Sequence, residues 1–595
     1  MYINVEDIIP ENFLKEPQSI LLEYGNGWGK THSATSYSVK LQKLKVFDRI
    51  YILQYSQRGC GNVVDKVRKF GGFAVWHIGL EFFCPLYPEV SKVIGVGIPS
   101  CYFCYACNHF QGKARYAYMI LKETLDDRER GVVKPALAFY FGRRDSRVCT
   151  HPILRRYVPD PTSDYSLRFK PKVTPIFVMP AQTFLNHSIL AKWLEFARRQ
   201  KKSRKVLLII DEADTLLYSS LKTRVPVIDP SNEDRELLAM FSPKRRSLTR
   251  ILHYYEKILE VLREAYKEKG IIDVDTVNKF RKIVEEVQPY LRSLARRRKK
   301  IVEYVFENNI KTNIFKIALA LEELSHILYP EYALRTIEVE GGDYIICDYD
   351  YAIKLFFDPH FPYKSFWKIV LSATFPTEKI VTSRLLSPES KSLIRMVQKK
   401  TGYYQNVYVS IAQVYDDVKG ILNRNEETPR ATPKILQLLV KLAKFYEENM
   451  GERLGGITLW FGNSKQYRAF LSVLKKYRIK YRYRGKYTVI PFKGSKILVS
   501  YCGSAIARGL DLDQYDISFV VAPLLRPPRP AGYLDVIDFM RGVAEAVQSA
   551  MRIVRAPRPP KPKLVLVEST MATGFYAELY PDWFRKLFQY AKTNI

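Results

Sequence analysis

The glycines, lysine and threonine of GNGWGKT, Gly25 to Thr31, have the spacing of a loop that wraps a polyphosphate. Glycines let backbone amides curl round phosphate oxygens, Lys30 can reach the β and γ phosphates, and Thr31 can ligate magnesium. A glycine-rich turn is the bland alternative, and the setting of strand, loop and helix argues against it. The run departs from the full pattern at Tyr24, where a first Gly or Ala is usual. A second group, LLIIDEAD, delivers acids at the carboxyl end of an apolar stretch. There Asp211 can hold magnesium through water, and Glu212 can orient or deprotonate an attacking water. Together the two groups imply nucleotide hydrolysis.

The elements that must position these groups are readable from apolar periodicity. SILLEYG, DRIYILQY, TPIFVMPAQTF, KVLLIIDEAD and KIVLSAT are short, β-rich runs bounded by turns or charges, as buried parallel strands should be. Helical patterns between them indicate a doubly wound α/β unit that binds ligands at the carboxyl ends of its strands. The series restarts after about Leu386 with a helix, TPKILQLLVKLAKFYEEN, and the strands ITLWFGN, KILVSYC, DISFVVAPL and KLVLVEST. Two segments interrupt the first unit. One is cysteine-rich and carries a charged, helix-like stretch, RYAYMILKETLDDRERG. The other is mainly helical, with apolar residues at helical spacing in RILHYYEKILEVLREAYKEKG and a basic ending, RSLARRRKK.

At 595 residues the chain is long enough for three or four domains. A net charge of +33 favours a polyanionic partner, nucleic acid first, against the alternative of a solvated basic surface. The amino-terminal residues carry acids early and do not read as a secretory signal, so a cytoplasmic address is expected. The charge-free stretch from Val93 to Gln111 contains Pro99, two glycines and three cysteines; it reads as the wall of a buried site, with no membrane partner. The eight cysteines then read as reduced thiols or metal ligands and not as disulfides.

Three further motifs carry a resemblance. LSAT, Leu371 to Thr374, follows a buried strand; ARGLDL spans Ala507 to Leu512; and AVQSAMRIVR sets Gln548, Arg552 and Arg555 at a fixed spacing. In these the chain resembles superfamily 2 helicases. The resemblance implies two RecA-like P-loop domains with parallel sheets that close on ATP. Asn26, Trp28, Gly27, Gly29, Gly509, Asp511 and Gln548 would join Gly25, Lys30 and Thr31 in binding it. Ser372, Ala373 and Thr374 would link hydrolysis to movement. Arg552 and Arg555, brought by the second domain, would neutralise charge on the transferred phosphoryl group.

Between the phosphate loop and the DEAD strand lie Cys84, Cys101, Cys104, Cys107 and Cys149. Here, and in YILQYSQ, FFCPLYPEV and YPDWFRK, the chain resembles the XPD and DinG branch of iron-sulfur helicases. Four of the five thiolates would hold a [4Fe-4S] cluster, with Cys84 and Cys149 as outer ligands and two of the close set of three completing it. Zinc and unligated core cysteines are the alternatives. Cys60, Cys347 and Cys502 stand alone in apolar surroundings and read as packing residues.

The helical insertion sits where that branch carries its Arch domain, which with the cluster domain encloses a hole for one DNA strand. Lys244, Arg245, Arg246, Arg296, Arg297 and Arg298 are candidates for contacting DNA, each weighed against a plain surface charge. The organisation expected is thus a first RecA-like domain at 1–80, 159–216 and 363–386, a cluster domain at 81–158, an Arch-like domain at 217–362, and a second RecA-like domain at 387–595. The resemblance implies a monomeric ATP-dependent DNA helicase moving five-prime to three-prime on single-stranded or forked DNA. A DEAD-box-like RNA helicase and a nucleic-acid-binding scaffold with a decayed ATPase are the alternatives. Three features depart from the branch: a short segment before the phosphate loop, Asp214 where DEAH is usual, and Met551 where the sixth motif has glycine.

Overall fold

The structure is a computed structural model, and it describes residues 4–25, 27–55, 57–76, 118–120, 137–139, 147–148, 176–181, 205–215, 221–243, 247–268, 270–327, 335–348, 366–375, 394–397, 404–412, 428–485, 487–504, 512–521, 532–555, 558–568 and 579–591. In chain order, α1 (Val5–Ile8) precedes β1 (Ser19–Glu23), α2 (Lys30–Lys43), β2 (Arg49–Gln54), α3 (Gln57–Lys69) and β3 (Ala74–Trp76). Short strands follow, β4 (Tyr118–Ile120), β5 (Leu137–Phe139) and β6 (Arg147–Val148), then β7 (Ile176–Pro180) and β8 (Val206–Ile210). Next come β9 (Leu221–Val225), α4 (Asn232–Met240), α5 (Arg250–Glu268), α6 (Val274–Glu307), α7 (Ile314–Ile327), β10 (Arg335–Glu340) and β11 (Asp343–Asp348). The remainder holds β12 (Trp367–Ser372), β13 (Ile394–Val397), β14 (Val407–Ala412), α8 (Thr428–Met450), β15 (Ile457–Phe461), α9 (Ser464–Lys476) and β16 (Arg482–Tyr483). It ends with β17 (Thr488–Phe492), β18 (Ser495–Tyr501), β19 (Ile517–Val520), α10 (Gly532–Ala550), β20 (Lys563–Glu568) and α11 (Asp582–Ala591).

The result is a mixed α/β chain built on parallel sheets, as its apolar runs require. The first sheet has the order β13-β1-β12-β8-β2-β7-β3, and every pairing in it is parallel. Side chains alternate between its faces. Ile20, Leu22, Ile50 and Ile369 pack under α2 and α3, whereas Leu21, Leu208 and Val370 join a core that also takes Val543, Val547, Val565 and Trp583 from the second half. The two lobes therefore share one continuous apolar core. The second sheet has the order β14-β20-β19-β15-β18-β17-β16, parallel as far as β18 and antiparallel beyond it.

Register decides where the chemistry lies. β1, β12 and β8 are neighbours, with Glu23 opposite Ser372 and Val370 opposite Ile210. The phosphate loop, the SAT motif and the DEAD motif thus leave the sheet side by side from one carboxyl edge, where parallel sheets bind their ligands.

Three elements differ from the sequence reading. The first sheet takes β13 from beyond residue 386, because β1 still has a free edge that Ile394–Val397 fills. The segment 217–362 contains helices α4 to α7 but also a three-stranded antiparallel sheet, β10-β11-β9, whose apolar side packs on the helices through Val225, Ile337 and Ile346. Within the charged stretch that reads as helical, residues 118–120 form β4, paired antiparallel with β5. The register sets Tyr118 opposite Phe139 and Ile120 opposite Leu137, so a backbone ladder takes these three residues out of the helical pattern.

One buried carboxylate holds the helical segment together. Asp234 makes a capping box with Ser231 at the start of α4, and its Oδ1 also accepts from Thr312 Oγ1 at 2.6 Å and Asn313 N at 3.1 Å, just ahead of α7. Asp234→Ala strands those donors and is expected to cost about 3 kcal/mol. Amide exchange across 232–240 should then accelerate roughly a hundredfold. Among the described residues no helix is long and apolar enough to cross a membrane.

Candidate nucleotide site

β1 ends in Glu23, and the chain turns through Tyr24 and Gly25 into α2. Gly29, at φ 75°, sits in the left-handed region as the N-cap of α2, a conformation that glycine adopts at no steric cost. Gly25 is needed for a different reason. A Cβ there would strike the Tyr404 hydroxyl and lie 3.1 Å from the Trp583 ring. Trp28, Tyr404 and Trp583 form an aromatic seam against the loop, with centroids 6.1 Å and 5.6 Å apart.

Lys30 opens α2 and turns back, its Nζ donating to the carbonyls of Tyr24 at 2.6 Å and Gly25 at 2.9 Å. Burial pulls its ammonium down to about 8, against the opposing fields of Asp211, Asp214, Glu212 and Glu23. Thr31 Oγ1 donates to Asp211 Oδ2 at 2.6 Å, and Gln54 Nε2 reaches the same oxygen at 3.1 Å. A hydroxyl and a carboxylate thus meet beside the phosphate loop. Two hard oxygen donors fit magnesium, which keeps several waters and takes few protein ligands.

Glu212 follows at φ 52°, a left-handed backbone that costs a non-glycine residue about 1 kcal/mol. Its carbonyl accepts from both the amide and the hydroxyl of Thr215. Asp214 is buried and accepts from Ser372 Oγ at 2.6 Å and from Gln548 Nε2 at 3.1 Å. Gln548 also donates to Thr374 Oγ1 at 3.2 Å, and Trp583 Nε1 donates to Ala373 O at 2.7 Å. The second lobe is therefore bonded directly to both the DEAD and the SAT motif.

A cleft of about 270 Å³ joins these groups. It is lined by Gly27, Gly29, Lys30, Thr31, Asp211, Glu212, Ser372 and Ala373 from the first lobe and by Gln548, Arg552 and Arg555 from the second. The sequence assigns Gln548 to nucleotide binding; it does line the cleft, but its amide is engaged with Asp214 and Thr374. Arg552 lies in the single 3-10 turn after α10 and Arg555 just beyond it. Met551, fully buried, opens that turn and anchors it where glycine would leave it loose.

Three residues at or beside the cleft escape sequence reasoning. Gln54 ends β2 in YILQYSQ, and only the fold brings it to Asp211. His32 and Lys66 line the cleft, yet Lys66 reads as one of several basic positions on α3. Burial lowers the Lys66 ammonium; Asp211 opposes this, and Lys69 and Arg555 add to it.

Other expected residues lie elsewhere. Arg296, Arg297 and Arg298 are on α6, away from the cleft, and Arg298 is paired with Glu322 at 2.9 Å. Cys60, Cys347 and Cys502 are buried free thiols, and burial pushes the Cys60 and Cys502 thiols up. Asn26, Gly509, Asp511, Cys84, Cys101, Cys104, Cys107, Cys149, Lys244, Arg245 and Arg246 lie outside the described residues. Among the described residues no group of three or more His, Cys, Asp or Glu side chains is placed to hold a metal.

No family model matches this chain, and no curated protein matches it. Several solved structures are similar. One named XPD helicase shares 15% identity over 96% of each chain, with a TM-score of 0.49. Xpd4 of S. tokodaii shares 12% over 97% of this chain and 96% of its own, with a TM-score of 0.45. The DUF1998 helicase MrfA, bound to DNA and AMPPNP, shares 12% over 94% of this chain and 47% of its own, with a TM-score of 0.30. These likenesses are faint, and the chemistry of the cleft stands on its own residues.

Proposed function

We propose that this chain is an ATP-dependent motor that moves on single-stranded DNA. The observation that carries the reading is the composite cleft, in which phosphate-loop and acidic residues of the first lobe face Arg552 and Arg555 of the second. Lys30 and the loop amides bind the triphosphate, and Glu212 orients and deprotonates the attacking water. Thr31 and Asp211 would hold magnesium, which when bound neutralises phosphate charge. Arg552 and Arg555 answer the charge that develops on the transferred group, so the lobes hold together on ATP and relax after hydrolysis. Gln548, bonded to Asp214 and Thr374, carries that change between the lobes.

The same reading assigns residues 81–158 to a [4Fe-4S] cluster held by four of the five cysteines there, and 217–362 to an Arch-like module beside the DNA strand. Anaerobically purified protein should then absorb in the visible and contain about four irons per chain. Stoichiometric zinc without iron would sink that assignment. The decisive experiment for the motor is ATP turnover by the full chain with and without single-stranded DNA. Turnover indifferent to DNA would overturn it, and equal stimulation by RNA would favour an RNA motor.

Lys30 adds a pH signature. In the free protein it loses its proton from about 8 upward, and a polyphosphate beside it raises that value. Nucleotide binding therefore takes up a proton above pH 8, and affinity for a non-hydrolysable ATP analogue is expected to fall as pH rises from 8 to 9.5, by up to about tenfold per unit. Fluorescence titration checks this, and the slope should shrink in Lys30→Ala, with Lys66 as the remaining buried ammonium of the cleft.

A further inference from the structure

At the edge of the second sheet opposite β14, strand β16 sits in the most basic stretch among the described elements of that lobe. From Lys475 to Tyr487 the chain reads KKYRIKYRYRGKY: seven cations, four tyrosines and no acid in thirteen residues. Arg478, Lys480, Arg482 and Arg484 are all exposed, and among the described residues none of the four has a carboxylate partner. Tyr477 and Tyr483 are each 60% exposed, among the most exposed large hydrophobic residues of those described.

The tyrosines are organised. β16 pairs antiparallel with β17, setting Tyr483 opposite Thr488, and Thr488 Oγ1 lies 2.7 Å from Tyr467 Oη. Tyr467 in turn packs on Tyr501, centroids 5.9 Å apart, at the end of β18. The Tyr483 hydroxyl donates to Gly485 O, which holds the ring over the hairpin turn. Within β16 strand alternation sends Arg482 to one side and Tyr483 to the other, both exposed at the rim of the sheet, while Tyr481 packs against the core. Because β17 runs against β18, with Thr488 opposite Val499, the turn lies at the carboxyl edge of the sheet.

Lysines on an edge strand commonly serve only to block pairing with another chain. That explains the cations but not two exposed tyrosines, since exposed aromatics on an edge favour such pairing. Cations that track phosphates, alternating with rings on which bases stack, are the means by which proteins hold single strands without regard to sequence. We propose that the segment 475–487, from the end of α9 through β16 to its turn, is a nucleic-acid surface that anchors single strands outside the cleft. It rests on the motor reading only for the class of partner, because it needs no ATP turnover.

The test is equilibrium binding of fluorescent oligo-dT to the full-length protein without nucleotide, read by anisotropy. Tyr477→Ala/Tyr483→Ala should weaken binding about tenfold or more. Arg482→Ala/Arg484→Ala should lower the slope of log affinity against log salt by about 1.4, or roughly 0.7 for each phosphate no longer neutralised. All four residues are exposed, so thermal melting should be unchanged. A halogenated oligonucleotide crosslinked by light to the parent protein should attach within 475–487. Affinity and salt slope matching the parent, or crosslinks only elsewhere, would overturn the proposal. So would displacement of the oligonucleotide by an acidic polypeptide at equal charge concentration. DNA-independent ATP turnover alongside a positive result here would remove the motor reading and leave this surface standing.

Discussion

Arg552→Ala/Arg555→Ala is expected to lower kcat for ATP by about a thousandfold or more while changing nucleotide affinity only a few fold. An arginine that reaches across a domain boundary to a transferred phosphoryl group is worth roughly 10³ to 10⁵ in rate. Both arginines line the cleft opposite Lys30, and both follow the fully buried Met551, which fixes the turn that aims them. Their effect belongs to the transition state, so kcat falls and ground-state binding largely survives. Lysine at either position should restore little, because an ammonium lacks the planar fork of the guanidinium. Single-turnover hydrolysis beside a fluorescent-nucleotide titration separates the two quantities. Turnover within tenfold of the parent would remove both arginines from the mechanism.

Lys30→Ala is expected to weaken nucleotide binding and also reduce turnover by on the order of 10² to 10³, as loss of a preorganised charge on a developing oxyanion does. In the structure Lys30 is tied to the carbonyls of Tyr24 and Gly25, so the loop already holds the ammonium within itself. The substitution removes those two bonds as well. Lys30→Gln separates the effects: its amide, one bond shorter, keeps a donor on the side of the loop carbonyls but brings no charge. Turnover in the glutamine variant should stay as low as in the alanine variant, whereas thermal stability should recover. Recovery of turnover with glutamine would mean that the lysine serves only to brace the loop.

Much of the framework is legible in the sequence because a parallel strand buried on both faces must be almost wholly apolar. β1, β8 and β12 are such runs, and each ends on a motif, so the cleft's first wall follows from local pattern. β9, β10 and β11 are different. In LKTRV, RTIEVE and DYIICD polar and apolar residues mix, because only one side of that small sheet meets helices. The links between lobes leave no local trace at all. Gln548 and Asp214 are 334 residues apart, and nothing near Asp214 in the chain announces that its partners are Ser372 and Gln548. Lys66 is hidden for a related reason, since one basic position on α3 resembles the next until the fold turns it toward Asp211.

The place of β1 in its sheet also sets a timetable for making the protein. β1 is flanked by β12 and β13, with Ser19 opposite Lys368 on one side and Ile394 on the other. Both partners are translated about 350 residues or more after it, which at roughly 5 to 20 residues per second is about 20 to 70 s. For that interval the strand that carries the phosphate loop has left the ribosome with both edges bare, the state in which strands pair with the wrong neighbour. Nascent chains stalled before residue 366 should therefore be held by chaperones and cut readily around 19–31, and chains released beyond residue 397 should resist.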